Sequence, residues 1–262
     1  MRLPPNTARR IMLLLAGLAA AAATTLASAA ASSPAASIYL TALATPERSD
    51  KDRTRDGRDR PADVLAFAAF KPGMRIADLF GGGGYYSEIL AYVVGPKGKV
   101  LLVNNAPYAA FAAEDQAVRF KDGRLPQIER QVVANEDLKL GRQKLDGALF
   151  VMSYHDLYFY DKDHFPKIDA GQFLEQVRRA LKPGGRLLVV DHVAAAGTGS
   201  TLAGTLHRID EDFAIKDIEA HGFRLVGKYD GLRNSDDDHS KLVFDPAVRG
   251  HTDRFVHVYR RL

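Results

Sequence analysis

The stretch IADLFGGGGYYSEIL, residues 76–90, places four consecutive glycines after a short apolar run that contains one acid. The run MRIADLF predicts a buried strand, and residues 85–94 predict a helix because their apolar side chains recur at helical spacing. Glycine lets a ligand approach the backbone closely, and the first turn of a helix offers free N–H groups. The stretch therefore predicts a binding turn between the end of a strand and the start of a helix.

Strand and helix patterns alternate along most of the remaining chain. The predicted strands KVLLVNN, QVVA, DGALFVMS and RLLVVDH are interleaved with predicted helices, among them residues 107–117 and AGQFLEQVRRAL. The end of the chain differs, because the helix DFAIKDIEA is followed by two strands, FRLVGKYD and DRFVHVYRRL, with no helix between them. The pattern predicts an α/β fold with a doubly wound, largely parallel sheet and an antiparallel hairpin at its C-terminal end.

The first 29 residues differ in composition from the rest. Three arginines precede the apolar run IMLLLAGLAAAAATTL, and the small residues ASA follow it. This order predicts a signal peptide over residues 1–29 and an exported protein, periplasmic or secreted. The apolar run is shorter than the roughly 20 residues of a membrane span, so no stable membrane insertion is expected after cleavage. The pair Arg9 and Arg10 leaves both the twin-arginine and the general secretory routes open.

Composition limits the function classes. Removing the three leader arginines lowers the formal charge from +4 to +1, so the charge gives no reason to expect a nucleic-acid partner. The absence of cysteine excludes disulfides, thiolate catalysis and cysteine-ligated zinc. The run ERSDKDRTRDGRDR, residues 47–60, alternates in sign and predicts a solvated helix face or a linker. We divide the chain into the signal peptide, a linker and N-terminal extension at residues 30–59, and one α/β domain at residues 60–262.

A dinucleotide site is the first ligand to test against the glycine turn. Its fingerprint is G-x-G-x-x-G, but here the last position of the two possible alignments holds Tyr86 or Ser87. The sequence therefore disfavours NAD as the ligand.

The glycine turn resembles the first motif of class I S-adenosylmethionine-dependent methyltransferases, acid-x-Gly-x-Gly-x-Gly. Asp78, Gly82 and Gly84 match this pattern, while Phe80 stands at the position of its first glycine. The resemblance extends from about residue 60 to the C-terminus and includes KPGM, VGPKGKV and LKPGGRLLVVDH. Within the superfamily the chain looks most like a group of exported predicted methyltransferases, which share endings similar to HRID, GFRL, LRN and VFDPAVRGHTDRF. The resemblance implies a Rossmann-like, seven-stranded sheet, S-adenosylmethionine as cofactor, and Asp78 near the amino-acid part of that cofactor.

The resemblance also implies the remaining cofactor contacts. Asn104, at the end of the second strand, stands where such enzymes usually carry an acid that accepts hydrogen bonds from both ribose hydroxyls. An amide has one carbonyl acceptor where a carboxylate has two charged oxygens, so a weaker ribose contact is expected. Glu136 or Asp137, after the third strand, would meet the adenine amino group. Phe80 either narrows the cofactor cleft or packs against the helix that follows the glycine turn.

The loop SYHDLYFYDKDHF follows the fourth strand, at the edge where ligands of open α/β sheets bind. His155 is the first candidate for a catalytic base there, with Asp156 as its orienting partner. Tyr154 or Tyr158 would form a wall of the substrate site. A histidine with a purely structural hydrogen bond is the alternative.

A second polar cluster lies in the insertion after the fifth strand. His207 and Arg208 are predicted to anchor the substrate, and Arg208 would suit an acidic acceptor. The alternative is that Asp210 caps a helix and that arginines of the terminal hairpin pair with the acidic loop SDDDHS on the surface. No metal is predicted, because the sequence contains no H-E-x-x-H motif and the fold would have to bring His155, His192 and His207 together.

Two functions remain open from the sequence. The first is a methyltransferase that acts on an unidentified small molecule and uses His155 to remove a proton. The second is an exported, non-catalytic binding protein that has kept the fold, which the residues at positions 80 and 104 and the leader motivate. The sequence does not predict an oligomeric state.

Overall fold

One sheet organises residues 34–262, the part of the chain that this computed structural model describes. Seven strands of this part form it: β1 (Arg75–Leu79), β2 (Lys99–Asn104), β3 (Ile128–Val132), β4 (Leu145–Val151), β5 (Leu181–His192), β6 (Phe223–Lys228) and β7 (Arg254–Arg261). Their order across the sheet is β3-β2-β1-β4-β5-β7-β6. The predicted signal peptide, residues 1–29, lies outside the described residues.

Strand direction agrees with the prediction. Five neighbouring strands run parallel, namely β3, β2, β1, β4 and β5. Strand β7 lies antiparallel to both β5 and β6. The seven-stranded α/β sheet with an antiparallel C-terminal pair is therefore confirmed. The chain moves outward from β1 to β3 and then returns to β4 on the other side, so the carboxyl ends of β1 and β4 flank a crevice of the kind that binds ligands in such sheets.

Helices cover the sheet. Their bounds are α1 (Pro34–Leu43), α2 (Asp50–Asp59), α3 (Pro61–Ala68), α4 (Tyr85–Val94), α5 (Ala106–Phe111), α6 (Ala113–Arg119), α7 (Ala170–Ala180), α8 (Ala203–Leu206) and α9 (Glu211–Ala220). Helix α4 has the predicted bounds, whereas the helix predicted over residues 107–117 is divided into α5 and α6 at Ala112, whose ψ of 3° departs from helical geometry. Within residues 34–262, none of the helices has both the length and the apolar character needed to cross a bilayer.

The central strands are buried on both faces. β1 is buried at all but its first position, and β2 likewise. Strands covered on both faces read as continuous apolar runs without alternation, which explains the sequence KVLLV. The sheet thereby holds two polar groups rigidly at its carboxyl edge, Asp78 near the end of β1 and Asp191 near the end of β5.

The predicted linker and N-terminal extension contains two helices that pack on the domain. The Tyr39 hydroxyl of α1 donates to the Phe70 carbonyl at 2.7 Å. The prediction that residues 47–60 form a solvated face is wrong for three charged residues, since Arg48, Asp52 and Asp59 are only 3%, 3% and 2% exposed. Each of these three side chains forms an ion pair with a residue of opposite charge, so part of this mixed-charge run is buried in ion pairs.

Candidate active site

A cavity of about 630 Å³ lies at the carboxyl edge of the sheet. It is lined by the glycine turn after β1, the loops after β4 and β5, helix α2 and the segment that leads into β7. The volume falls within the range of small-molecule sites, and the position is the one expected for a doubly wound sheet. This cavity is the candidate active site.

Three of the four glycines are required by backbone shape or by close packing. Gly82 and Gly84 have φ values of 55° and 83°, which lie in the left-handed region that glycine adopts without strain. A side chain at Gly81 would place its Cβ 2.5 Å from the Asp78 carboxylate carbon. The turn therefore brings its backbone against the buried acid, and residues 81–83 line the cavity.

Asp78 is a buried carboxylate at the base of the cavity. The Ser87 hydroxyl donates to its Oδ2 at 2.7 Å. Burial raises the pKa of Asp78 to about 6, although the bond from Ser87 and the charge of Arg55 act in the opposite direction. Asp78 is therefore mostly ionised at neutral pH and would favour a cationic group beside it.

Asn104 does not face the cavity. Its Oδ1 accepts a hydrogen bond from the Gly82 backbone N–H at 3.0 Å, and its Nδ2 donates to the Gly82 carbonyl at 3.0 Å. Both ends of the amide are thus committed to the glycine turn. The structure replaces the predicted ribose contact with a different role, that of holding Gly82 in its left-handed conformation.

Phe80 lines the cavity and is held by aromatic neighbours. Its ring stacks on Tyr108 of α5 with centroids 4.8 Å apart and also contacts Phe173 of α7 at 5.2 Å. Of the two sequence alternatives, packing against α4, the helix after the turn, is wrong, because the ring partners of Phe80 belong to α5, β4 and α7. Phe80 narrows the cavity instead.

His155 lies in a short helical turn directly after β4 and is nearly buried. Its Nδ1 donates to Asp191 Oδ1 at 2.8 Å, and its backbone N–H donates to Asp191 Oδ2 at 2.7 Å. Its Nε2 lies 3.2 Å from His207 Nδ1 and 3.4 Å from Asp156 Oδ1. The predicted orienting partner is therefore corrected: Asp191 orients the ring, while Asp156 lies at the opposite nitrogen.

The histidines of this region carry different charges. Burial lowers the pKa of His155, but the carboxylates of Asp156 and Asp191 outweigh it and raise the value to about 9. Burial and the neighbouring His155 lower the pKa of His207. Burial also lowers the pKa of His192 to about 3, and its Nδ1 lies 2.7 Å from the Thr252 hydroxyl. At neutral pH the positive charge of the group thus lies on His155.

Three predicted substrate residues serve the packing of the fold. The hydroxyls of Tyr154 and Tyr158 both donate to Asp217 Oδ2, away from the cavity lining. Arg208 is 0% exposed and makes two hydrogen bonds to the Asp237 carboxylate at 2.8 and 3.0 Å. The SDDDHS loop pairs with the buried Arg208, whereas Arg254 of the terminal hairpin pairs with Asp59 of α2, contrary to the predicted pairing of a hairpin arginine with that loop. Arg208 does not line the cavity. His207 lines the cavity, and its contact with a substrate stays a prediction.

The two predicted adenine contacts also lie apart from the cavity. Glu136 and Asp137 are exposed, and the Asp137 carboxylate pairs with the Lys139 ammonium. Neither side chain belongs to the cavity lining in the described structure. A nucleobase bound at this edge would therefore need other partners.

Sequence reasoning missed Asp191 and the contribution of α2. Asp191 ends a buried apolar strand, as Asp78 does, and that shared position is the signal that could have identified it. Arg55 and Asp59 of α2 line the cavity, and Arg55 Nε donates a hydrogen bond to Asp59 Oδ2 at 2.5 Å. No local signal distinguishes them from the other charges of their run.

Comparisons with known proteins agree with this fold. No protein-family model matches the chain. The chain is 24% identical over 207 residues to the ubiquinone/menaquinone biosynthesis C-methyltransferase UbiE of Shewanella frigidimarina and 28% identical over 191 residues to that of Shewanella oneidensis. Each alignment covers 73% of this chain, which spans 65% of the length of these relatives.

Solved structures show the same architecture. An S-adenosylmethionine-dependent methyltransferase from Aquifex aeolicus superposes with a TM-score of 0.56 at 19% identity, over 77% of this chain and 89% of that one. The [4+2]-cyclase SpnF superposes with a TM-score of 0.54 at 16% identity, over 87% and 92% of the two chains. At such identities the likeness establishes the fold, and the second example shows that one fold carries more than one reaction.

Proposed function

We propose that this chain is a class I S-adenosylmethionine-dependent methyltransferase and that it transfers a methyl group from S-adenosylmethionine to a small-molecule acceptor in its cavity. One observation carries the proposal. The same cavity joins a glycine turn and buried carboxylate at one wall to an imidazole held by a carboxylate at another.

The residues of the glycine turn fit the amino-acid end of the cofactor. Asp78 offers a carboxylate to an ammonium group, and the backbone of residues 81–83 borders the space beside it. A bound cofactor would supply a methyl group on a sulfonium sulfur, and transfer would join the methyl carbon to the acceptor and release S-adenosylhomocysteine as the carbon–sulfur bond breaks. Asn104 is committed to Gly82, so the ribose would find its partners elsewhere in the lining.

Calorimetric titration with S-adenosylmethionine and S-adenosylhomocysteine tests the cofactor. We expect a Kd of about 1 μM for at least one of them at about pH 7.5. Because Asp78 takes up a proton as the pH falls through about 6, the affinity should be full above that pH and lost below it. At about pH 5 we expect Kd to rise about tenfold.

The Asp78→Asn variant is the matched control for this titration. It should bind more weakly at both pH values and lose the pH dependence. If wild-type affinity does not change between the two conditions, Asp78 does not contact the cofactor. If the folded protein binds neither compound, the cofactor assignment fails and the non-catalytic alternative takes its place.

Asn104→Asp should weaken cofactor binding. Aspartate has no donor for the Gly82 carbonyl and would place a negative charge against that oxygen, which costs about 1–3 kcal/mol. We therefore expect a Kd about tenfold higher or more in the same titration. Asn105→Asp is the control, because it makes the same substitution one residue away, where the lost donor bonds Asn135 and not the glycine turn. A gain in affinity for Asn104→Asp would mean that residue 104 turns toward the ribose.

We assign to His155 the stabilisation of the acceptor's ionised oxygen. Methyl transfer needs alignment more than covalent help, so the protein positions the acceptor and favours its ionised form. Asp191 holds Nδ1, which directs Nε2 toward the cavity-lining side chains of Asp156 and His207. Since the imidazole is cationic at neutral pH, it favours an acceptor whose oxygen is ionised.

The acceptor we propose is an aromatic compound with an ionisable hydroxyl. The similar Shewanella proteins are named for methylation in quinone biosynthesis. Phe159, Phe165 and Phe244 line this cavity together with His207, and aromatic rings pack well against such walls. Screening phenolic against aliphatic acceptors, with S-adenosylhomocysteine release as the signal, tests this choice.

We also propose that the protein acts after export, on the sequence pattern of residues 1–29. S-adenosylmethionine is made in the cytosol, so an exported enzyme would have to leave already loaded. Measuring cofactor in the protein purified from the periplasm tests this point, and protein found only in the cytosol would contradict it.

A further inference from the structure

Three side-chain atoms converge on one wall of the cavity. They are His155 Nε2, His207 Nδ1 and Asp156 Oδ1, and all lie within 4.8 Å of one another. The two nitrogens are 3.2 Å apart, and the carboxylate oxygen lies 3.4 Å from the first and 3.8 Å from the second. All three residues line the cavity.

These separations match those that a metal ion imposes on its ligands. A tetrahedral site with bonds of about 2.0–2.1 Å separates neighbouring ligand atoms by about 3.4 Å. Without an ion, a proton shared between the two imidazoles and the charge of Asp156 hold this cluster together. A bound cation would take the place of that proton and meet all three atoms.

Each of the three side chains is also held in place, two by a hydrogen bond and one by its backbone. Asp191 accepts from His155 Nδ1, which is the carboxylate–histidine arrangement that supports metal ligands. The Tyr108 hydroxyl donates to Asp156 Oδ2, so Oδ1 is the oxygen turned toward the histidines. His207 is held at a φ of 54°, a conformation that residues other than glycine adopt at a cost and that is found often at functional sites.

We propose that His155, Asp156 and His207 bind one divalent transition-metal ion at the cavity wall. Two imidazoles and one carboxylate suit zinc, iron(II) or manganese(II), whereas magnesium and calcium prefer oxygen ligands alone. The bound ion would replace the proton at Nε2 and present an open position to the acceptor's oxygen. This site goes beyond the proposed function, since cation binding needs no methyl donor.

Titration of the chelator-treated protein with Zn²⁺ and with Co²⁺ tests the site. We expect one equivalent to bind with a Kd of about 1 μM or tighter. Bound Co²⁺ should give the intense visible absorption of a four- or five-coordinate ion. No binding of either ion at about millimolar concentration, with the protein folded by circular dichroism, would overturn the proposal.

Variants locate the bound ion. His207→Asn removes a ligand while asparagine tolerates the left-handed backbone, and it should weaken binding by more than 10²-fold. Asp191→Asn keeps all three ligands and should weaken binding by about 10–100-fold. His164→Ala removes an exposed histidine of the same loop and should bind as the wild type does. Unchanged affinity in both His207→Asn and Asp191→Asn would place the ion elsewhere and refute the site.

Cofactor titration of the metal-free protein tests the proposed function separately.

Discussion

The His155→Ala variant should transfer methyl groups about 10²-fold more slowly than the wild type, because an acceptor hydroxyl without the cationic imidazole beside it is less ionised at neutral pH, about tenfold for each unit of its pKa. In the wild type, the Nε2 atom of His155 contacts Asp156 and His207 in the cavity wall, so truncation to alanine removes the imidazole from the acceptor side of the site. Cofactor affinity should change little, because Asp78 and the glycine turn remain intact. The measurement is the rate of S-adenosylhomocysteine release with an acceptor found by screening, beside the calorimetric Kd.

Two further variants make this result specific. His164→Ala, which removes an exposed histidine of the same loop, should keep full turnover. Asp191→Asn should give an intermediate loss, because the ring stays in place while its orienting charge is gone. Unchanged turnover in His155→Ala would remove His155 from the mechanism.

Arg208→Ala should destabilise the fold by about 3–5 kcal/mol, because it leaves the Asp237 carboxylate buried without its partner. Arg208 also donates to the carbonyls of Val193 and Lys241, so its loss leaves those acceptors unpaired as well. Urea denaturation measures the change in the free energy of unfolding. A shift in melting temperature of about 10 °C is expected for a domain of this size.

The control for Arg208 is an arginine in an exposed pair. Arg179 of α7 pairs with Glu175 at 2.7 Å and its side chain is 65% exposed, so Arg179→Ala should change stability by less than about 1 kcal/mol. The double variant Arg208→Met with Asp237→Leu should be less destabilised than Arg208→Ala, since it buries no unpaired charge. If Arg208→Ala instead keeps wild-type stability and loses acceptor binding, the substrate-anchoring role predicted from the sequence is correct.

The glycine turn shows how much of this fold could be predicted from the sequence. The strand, the turn and helix α4 are decided by residues within one short stretch, through apolar spacing and the left-handed backbone at Gly82 and Gly84. The same kind of local pattern predicted the parallel strands and the antiparallel final pair. Asp210 as a helix cap is confirmed for the same reason, because its oxygen accepts from N–H groups two and three residues away.

The partners of the polar side chains could not be predicted in this way. The hydrogen bond between Asn104 and Gly82 joins residues 22 positions apart in the sequence, that between Arg208 and Asp237 joins residues 29 apart, and that between His155 and His207 joins residues 52 apart. An amide, a guanidinium or an imidazole can be satisfied by many groups, and its own sequence neighbourhood does not say which one will be near.

The sequence by itself determined the α/β sheet, the glycine turn and the resemblance to class I methyltransferases, because these depend on short-range periodicity and backbone preference. Only the tertiary structure decided which polar residues form the site. In the structure, Asn104 and Arg208 form hydrogen bonds that stabilise the fold, while Asp191 and helix α2 belong to the candidate site. His155, Asp156 and His207 lie together at one wall of the cavity. The physical reason is that strand order and the paths of the loops set the distances between side chains far apart in the chain.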